Sequence, residues 1–282
     1  MREPRTDIII MNIPMTDLRL QYAAIKQEID TVLNEVFSET GFILGRQLVS
    51  FEQEAAAYYG VKYALGVASG TDALVLALTA GGINPGDEVI TTPFTFIATA
   101  EAIFRVGAVP VFCDISADTC NLNPESLKRR ITSKTKAILP VHLYGLSCDM
   151  GQISAIAERH GLKVFEDCAQ SFGSEYQGRK TGTFGLCGCL SFFPAKTLGC
   201  YGDGGMVLTN DQDTAQRLRV LRDHGSEIKY HYSSHGFNSR LDTLQAAVLS
   251  VKMKYIDRWI EARAANAALY GDLLSGIPGI EL

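Results

Sequence analysis

Short apolar runs that alternate with longer amphipathic segments restrict the fold of this chain more than any other feature. Strand-length runs occur at 63–67, 86–92, 109–115, 136–143 and 162–167, and segments of helical periodicity separate most of them. This alternation predicts a mostly parallel sheet covered by helices on both faces, a three-layer α/β/α fold. Ligands of such sheets bind at the carboxyl ends of the strands, so residues there are the first candidates for a functional site.

Helices are predicted before, within and after this region. Apolar residues recur at helical spacing over 18–39, and a second helix near 47–59 ends at Gly60. Further helices are predicted at 72–80, 95–107, from Pro124 onward, at 150–161, at 213–225 and, as one long element, at 240–275.

Charge and composition exclude several classes of partner. The formal net charge is −5 and no run of basic residues occurs, which argues against binding to nucleic acid or to an anionic membrane surface. The longest apolar stretches have the length of strands, so no membrane span is predicted. The N-terminal sequence MREPRTDIIIMNIPM carries no small-residue cleavage site, so we expect no secretory signal and a cytoplasmic protein.

The seven cysteines favour free thiols over disulfides or a metal site. Their number is odd, no CxxC pair occurs, and Cys187 and Cys189 form the single C-x-C pair. No second pair of ligands stands at the spacing of a zinc site, so no metal is predicted.

The stretch ASGTDAL (68–74) combines a strand end with the start of a helix. Gly70 lets the backbone approach a ligand closely, Thr71 offers a hydroxyl and an N–H group, and the helix start adds free N–H groups and a positive dipole end. These features suit a phosphate group. A simple helix cap would use the same residue types, and the sequence leaves both interpretations open.

The stretch KVFEDCAQS (163–171) places an acidic residue directly after an apolar strand. The carboxylate of Asp167 is therefore expected at the ligand-facing edge of the sheet, where it can hold a cationic nitrogen, and Gln170 lies one turn further on. The alternative is an ordinary aspartate that caps a helix.

The stretch LSFFPAKTLGCYGDGGMV (190–207) carries a lysine in apolar surroundings, followed by several glycines. A partly desolvated lysine has a lowered pKa and is a nucleophile toward carbonyl groups. Most single lysines lie on the surface, so Lys196 alone does not indicate a catalytic role. The functional interpretation is supported by the features that precede it in the chain, which are a candidate phosphate site, the Asp167 carboxylate and Ser191.

This combination meets the chemical needs of pyridoxal 5′-phosphate, whose phosphate, ring nitrogen and aldehyde require donors, an anion and an amine. The aromatic residues of PFTFIAT (93–99) either stack on such a ring or belong to the core. Other phosphate motifs are missing, since GCYGDGG lacks the dinucleotide-binding spacing and no GxxxxGK[ST] occurs. His142 either lines the pocket or is structural.

Six ordered motifs together resemble the DegT/StrS family of sugar aminotransferases: SGTDAL, GDEVITTPFTFIATAEAI, KAILPVHLYG, FEDCAQSFGSEYQGRKTGTFG, SFFPAKTLGCYGDGGMVLTND and HGFNSRLDTLQAAVL. The resemblance runs from about residue 12 to the end of the sequence. It implies an enzyme of the aspartate-aminotransferase fold (fold type I) that uses pyridoxal 5′-phosphate. Such enzymes transfer an amino group, usually from glutamate, to a keto sugar carried on a nucleotide.

The resemblance also implies roles for individual residues. Lys196 matches the lysine that forms the Schiff base, and Asp167 matches the partner of the pyridine nitrogen. The other matched positions are Gln170 beside the ring hydroxyl, Gly70, Thr71 and Ser191 at the phosphate, and Phe96, better than Phe94, over the ring. Asn238 matches an asparagine that reaches the phosphate in the neighbouring subunit, which implies a homodimer with shared active sites.

Within the family, SFFPAKTLGCYGDGG resembles the branch that aminates C3 of the sugar. The resemblance is greatest to enzymes acting on UDP-linked 3-keto-N-acetylglucuronate, for the O-antigen of surface polysaccharides. A C4-keto sugar aminotransferase and a non-catalytic regulatory member remain the alternatives. A dehydratase relative would have histidine in place of Lys196.

The resemblance predicts three parts of the chain. Residues 1–17 form an N-terminal arm, 18–250 form the large domain that binds the cofactor, and 251–282 form a linking helix and the start of a small domain. Family members continue beyond the point where this sequence stops, so the small domain is expected to be incomplete.

Overall fold

A seven-stranded sheet lies at the centre of the computed structural model, which describes residues 14, 16–228 and 230–280. The described residues form eleven strands: β1 (Tyr63–Val67), β2 (Glu88–Thr91), β3 (Val109–Phe112), β4 (Thr135–Ile138), β5 (Lys163–Asp167), β6 (Glu175–Tyr176), β7 (Arg179–Lys180), β8 (Cys187–Ser191), β9 (Gly205–Thr209), β10 (Ser226–Ile228) and β11 (His231–Tyr232). The order in the central sheet is β1-β9-β8-β5-β4-β2-β3. Neighbouring strands from β3 across to β8 are parallel, whereas β9 runs antiparallel to both β8 and β1.

The described residues also form nine α-helices: α1 (Leu18–Glu39), α2 (Arg46–Tyr59), α3 (Gly70–Ala80), α4 (Ala98–Arg105), α5 (Pro124–Arg130), α6 (Met150–His160), α7 (Gln212–Arg222), α8 (Thr243–Met253) and α9 (Ile256–Leu274). Capping residues mark several of their starts. The Asn123 side chain accepts hydrogen bonds from the first turn of α5, which has Pro124 at its first position, and Asp149 and Asp211 cap α6 and α7 in the same way.

The helices cover both faces of the sheet because its strands are apolar on both sides. Successive residues of β5 show this, since Val164 packs with α5 and α6 and Phe165 packs with α3, α4 and α7. Beyond β8, the second face is covered by α2 and α8. The predicted three-layer α/β/α fold is confirmed. No helix in the described part of the chain is long and apolar enough to cross a membrane.

The predicted helix at 240–275 is wrong in one respect, because the chain forms two helices there. The N–H groups of Lys254 and Tyr255 bond to carbonyl groups three residues back, which tightens the turn between α8 and α9. The Tyr255 ring stacks on Trp259, with 5.9 Å between the ring centroids. Of the three predicted parts of the chain, residues 1–13, 15, 229 and 281–282 lie outside the described residues.

Candidate active site

A cavity of about 410 Å³ lies at the carboxyl ends of β1, β5 and β8. It is lined by Ser69, Gly70, Thr71, Leu74, Thr95, Phe96, Ala98, Thr99, Val141, Asp167, Ala169, Gln170, Ser191, Phe193, Lys196, Asp203 and Gly204. Seven of the eight predicted site residues are in this lining. The parallel strands bring them together because each strand ends at the same edge of the sheet.

Asp167 is the last residue of β5, and its carboxylate is buried in the cavity wall. Thr99 Oγ1 donates to Asp167 Oδ2 over 2.8 Å, and the Ala169 N–H group donates to Oδ1 over 3.1 Å. Burial raises the pKa of Asp167, while these two hydrogen bonds and the charge of Lys196 oppose the rise. The two hydrogen bonds therefore hold the Asp167 carboxyl group in one orientation in the cavity wall.

Lys196 lies on a tight loop between β8 and β9, where its N–H group donates to the carbonyl oxygen of Phe193 over 2.8 Å. Burial lowers its pKa, and the nearby Asp167 charge partly restores it. A larger share of neutral amine makes the side chain a better nucleophile and base. Lys196 also lines a second cavity of about 660 Å³ between α1 and α9, so it stands between the two spaces.

The start of α3 supplies donors suited to an anion. The Ser69 side chain caps the helix by accepting from the Asp72 N–H group, whereas the first N–H groups, of Gly70 and Thr71, have no carbonyl of the preceding turn to bond. Gly70 packs against Ser191, and a Cβ atom at Gly70 would come within 2.6 Å of Ser191 Cβ. The two predicted phosphate positions are thus in direct contact.

The remaining predicted residues differ in their placement. Phe96 lines the cavity and Phe94 does not, and Gln170 lines it while its Oε1 atom accepts from the Tyr144 N–H group over 3.0 Å. Asn238 is exposed, lies outside the lining of this cavity, and pairs with Asp223 in an isolated antiparallel bridge.

Sequence reasoning missed Thr99, Thr95 and Asp203 in the lining. Thr99 stands three residues after Phe96, a spacing that places both at the same side of a helix start, and this signal was available in the sequence. Asp203 stands between Gly202 and Gly204, and the sequence interpretation of this stretch used only its glycines.

His142, Glu166 and Cys168 form a buried cluster whose ligand-type atoms lie within 4.8 Å of one another. Hydrogen bonds already occupy it. Glu166 accepts from the N–H groups of Gly182, Phe184 and Gly185 and pairs with His142 Nε2, and His142 Nδ1 accepts from the Cys148 N–H group. Because Nδ1 accepts, the imidazole proton is on Nε2, and hydrogen bonds hold both His142 and Glu166 in place.

The residues present fit pyridoxal 5′-phosphate. The N-terminal residues of α3 and Ser191 line the cavity, a buried carboxylate lies in its wall, and an amine with a lowered pKa lies in the same lining. The volume is within the range of small-molecule sites, roughly 300–1,000 Å³.

Comparisons with known proteins agree with this chemistry. The model of the DegT/DnrJ/EryC1/StrS aminotransferase family matches residues 23–282. The chain is 52% identical over 269 residues to a pleiotropic regulatory protein of Geobacillus stearothermophilus, covering 95% of this chain and 72% of that protein. It is 48% identical over 265 residues to the UDP-N-acetyl-3-dehydro-α-D-glucosamine 3-aminotransferase of Acidithiobacillus ferrooxidans, covering 94% and 72%.

A solved structure extends the agreement to three dimensions. The crystal structure of S. venezuelae DesV superposes with a TM-score of 0.94 at 45% identity, covering 96% of this chain and 73% of that chain. The family match, these identities and the arrangement of Asp167 and Lys196 lead to one conclusion. The chain belongs to the DegT/DnrJ/EryC1/StrS aminotransferase family and is an enzyme that uses pyridoxal 5′-phosphate.

Proposed function

We propose that this enzyme transfers an amino group from glutamate to the C3 keto group of a nucleotide-linked sugar. One observation carries the proposal: the half-buried Lys196 amine and the buried Asp167 carboxylate line the same cavity as the open start of α3. An amine, an anion and a phosphate site in one cavity match the three functional groups of the cofactor.

Within this cavity each residue has a proposed task. Lys196 would join the aldehyde of the cofactor and Asp167 would hold its ring nitrogen. The other proposed contacts are Gly70, Thr71 and Ser191 with the phosphate, Gln170 with the ring hydroxyl and Phe96 with the ring face. When bound, the cofactor supplies a conjugated ring that accepts electron density from the reacting carbon.

Lys196 is also the proposed proton carrier. Burial lowers the pKa of Lys196 and so increases the share of neutral amine, and Nζ would take a proton from the carbon that bears the amino group and deliver it to the aldehyde carbon of the cofactor. The second cavity, between α1 and α9, reaches the same lysine and offers an approach for a large substrate.

The proposed substrate is a UDP-linked 3-keto N-acetyl sugar, with the glucuronate form first, for surface polysaccharide such as O-antigen. The 3-aminotransferase of A. ferrooxidans supports the C3 position and the UDP carrier by its similarity to this chain. A C4-keto sugar is the alternative within the same chemistry. The relative named as a regulatory protein makes a non-catalytic role the second alternative.

We further propose a homodimer in the cytoplasm in which Asn238 completes the neighbouring active site. The Asn238 side chain is exposed and lies outside the cavity of its own chain, as expected for a residue that contacts a partner's site.

We also propose that the small domain begins in 251–282. The scarcity of buried residues there supports this proposal, because in α9 only Ile256 is buried among the described residues.

The first experiment is a visible absorbance spectrum of the protein with added pyridoxal phosphate. We expect a band from the cofactor joined to Lys196, which disappears when glutamate is added and returns with a suitable keto sugar nucleotide. UDP-linked 3-keto-N-acetylglucuronate, its glucosamine counterpart and a 4-keto sugar should be compared as acceptors.

Lys196→Ala and Lys163→Ala are the matched variants for this measurement. Lys163 is an exposed lysine at the start of β5, whereas Asp167 of the cavity is at the end of that strand. The Lys196 variant should lose the band and the Lys163 variant should keep it. The same band in Lys196→Ala, or a band that does not respond to glutamate, contradicts the proposed function. Light scattering on the same samples tests the dimer.

A further inference from the structure

Two threonine hydroxyl groups form a short chain that ends on Asp167. Thr95 Oγ1 and Thr99 Oγ1 are 2.9 Å apart, and Thr99 Oγ1 lies 2.8 Å from Asp167 Oδ2. Thr99 is fully buried in the first turn of α4, whereas Thr95 is partly exposed in the cavity lining.

The direction of these hydrogen bonds follows from counting protons. An ionised carboxylate only accepts, so Thr99 uses its single hydroxyl proton toward Asp167. Thr99 Oγ1 must then accept from Thr95, which makes Thr95 the donor at the outer end of the chain. Both hydroxyl dipoles therefore point toward Asp167, and each strengthens the other.

These contacts fix the carboxylate on both of its oxygens. The Ala169 N–H group holds Oδ1 and Thr99 holds Oδ2, so the plane of the carboxylate cannot turn without breaking a hydrogen bond. After burial, the Thr99 hydrogen bond is the largest influence on the pKa of Asp167, and it lowers that pKa. Thr99 thus acts on both the orientation and the charge of the group that faces the cofactor site.

We propose that Thr99 is a positioning residue for Asp167. With Thr95 hydrogen-bonded behind it, Thr99 keeps the Asp167 carboxylate ionised and oriented to bind the ring nitrogen of the cofactor. The inference rests on the proposed role of Asp167 in the active site. The inference adds that binding of the ring nitrogen by Asp167 depends on hydroxyl groups from a different segment of the chain, the one that also carries Phe96.

The test compares two cofactors in the same apoprotein. One is pyridoxal 5′-phosphate, and the other is the analogue whose ring nitrogen is replaced by a C–H group. Thr99→Val keeps the shape of the side chain and removes the hydroxyl. It should raise the dissociation constant of pyridoxal phosphate by up to roughly tenfold, because only the strengthening of this hydrogen bond on cofactor binding enters the constant. The analogue should bind the variant and the parent protein equally, because it has no ring nitrogen to grip.

Three further variants sharpen the result. Thr99→Ser restores the hydroxyl and should return the dissociation constant to the parent value. Thr95→Val removes only the outer donor, so it should raise the constant for pyridoxal phosphate by less than Thr99→Val does. Thr91→Val is the matched control, since Thr91 is equally buried but donates to the carbonyl oxygen of Leu139 over 2.8 Å.

Equal weakening of both cofactors by Thr99→Val would show a packing role and overturn the inference. Unchanged binding of pyridoxal phosphate would do the same, provided that Asp167→Asn weakens it. If Asp167→Asn also binds pyridoxal phosphate as tightly as the parent protein, the proposed function fails and this inference fails with it. Should Thr99→Val not fold, Thr95→Val carries the same comparison.

Discussion

Lys252 Nζ donates a hydrogen bond to the carbonyl oxygen of Gly199 over 2.6 Å, three residues after Lys196 in the chain. Lys252 belongs to α8, is fully buried, and lies 4.2 Å from the centre of the Tyr201 ring. From the same helix, the Gln245 side chain accepts from the Tyr201 N–H group over 2.8 Å. The loop that carries Lys196 is therefore anchored to α8 by two side chains.

Replacing Lys252 with methionine should change how stability depends on pH. Burial lowers the pKa of Lys252 to about 8 from its ordinary 10.5. Between these two values the unfolded chain binds more protons than the folded one, so the lysine makes the free energy of unfolding rise with pH. Its stabilising contribution is complete above 10.5 and is lost as pH falls through about 8. In Lys252→Met, urea unfolding across this interval should lack that rise.

Lys163→Met is the matched control for this prediction. Lys163 Nζ also donates to a glycine carbonyl, that of Gly81 over 2.5 Å, but the residue is exposed. This variant should keep the pH dependence of the parent protein. An undiminished rise in Lys252→Met would mean that the buried amine does not titrate in this interval.

Much of the fold was predictable because the core strands are apolar and short. The predicted limits of β1 and α1 coincide with those in the structure. Polar residues bound α1 at both ends, and Lys62 precedes β1. The pair β8 and β9 was not predicted as strands. Both lie beside glycine-rich loops, and β8 contains two cysteines and a glycine in place of branched residues, so its local signal is weak.

The candidate site was predictable only where the local sequence around a single residue indicates its chemical role. Lys196 and Asp167 stand out because a charged group directly adjoins an apolar run. The Thr99 contact joins residues 68 positions apart, and a threonine at a helix start has an ordinary explanation. The break between α8 and α9 likewise depends on tertiary packing, which local periodicity does not contain.

Gly70→Ala should disturb the proposed phosphate site. The added Cβ atom would lie 2.6 Å from Ser191 Cβ and 3.0 Å from its Oγ atom, so one of the two segments must shift. We expect a loss of about 1–3 kcal/mol in the free energy of unfolding, as for other overpacked sites. Pyridoxal phosphate should also bind more weakly in a spectroscopic titration.

Gly271→Ala is the control, because a Cβ atom at this position in α9 meets nothing within 4 Å. Alanine is the better helix former there, so we expect a gain of about 0.5–1 kcal/mol and no change in cofactor binding. Equal effects of the two substitutions would contradict the close packing of Gly70 on Ser191.

Glu166→Ala should be among the most damaging changes outside the cavity. The fully buried carboxylate accepts from three backbone N–H groups in 182–185 and from His142, and alanine would leave all of them without this partner. Each buried donor left without a partner costs about 1–3 kcal/mol, and this variant leaves several. Urea unfolding should show this loss, whereas Glu175→Ala, at an exposed glutamate, should change stability by less than about 1 kcal/mol.

The same cluster gives a test of its structural role. Since hydrogen bonds occupy His142 and Glu166, the protein should unfold at the same urea concentration with and without a strong metal chelator. A clear loss of stability in the chelator would mean that a metal ion replaces some of these hydrogen bonds.

Asp167→Asn should weaken cofactor binding and slow amino transfer, because an amide of the same shape cannot neutralise a cationic ring nitrogen. Removal of one preorganised electrostatic partner costs roughly 100-fold in rate, and we expect a loss of this order in the glutamate-driven disappearance of the visible band. Burial raises the pKa of Asp167 in the cofactor-free protein, so binding of pyridoxal phosphate to the parent apoprotein should weaken as pH decreases through that pKa and the carboxylate becomes neutral. The Asn variant should not show this decrease at low pH.

Asp149→Asn is the control for this prediction. Asparagine caps α6 as well as aspartate does, and position 149 lies outside the cavity lining. A parent-like rate and pH profile in Asp167→Asn would remove Asp167 from the proposed mechanism.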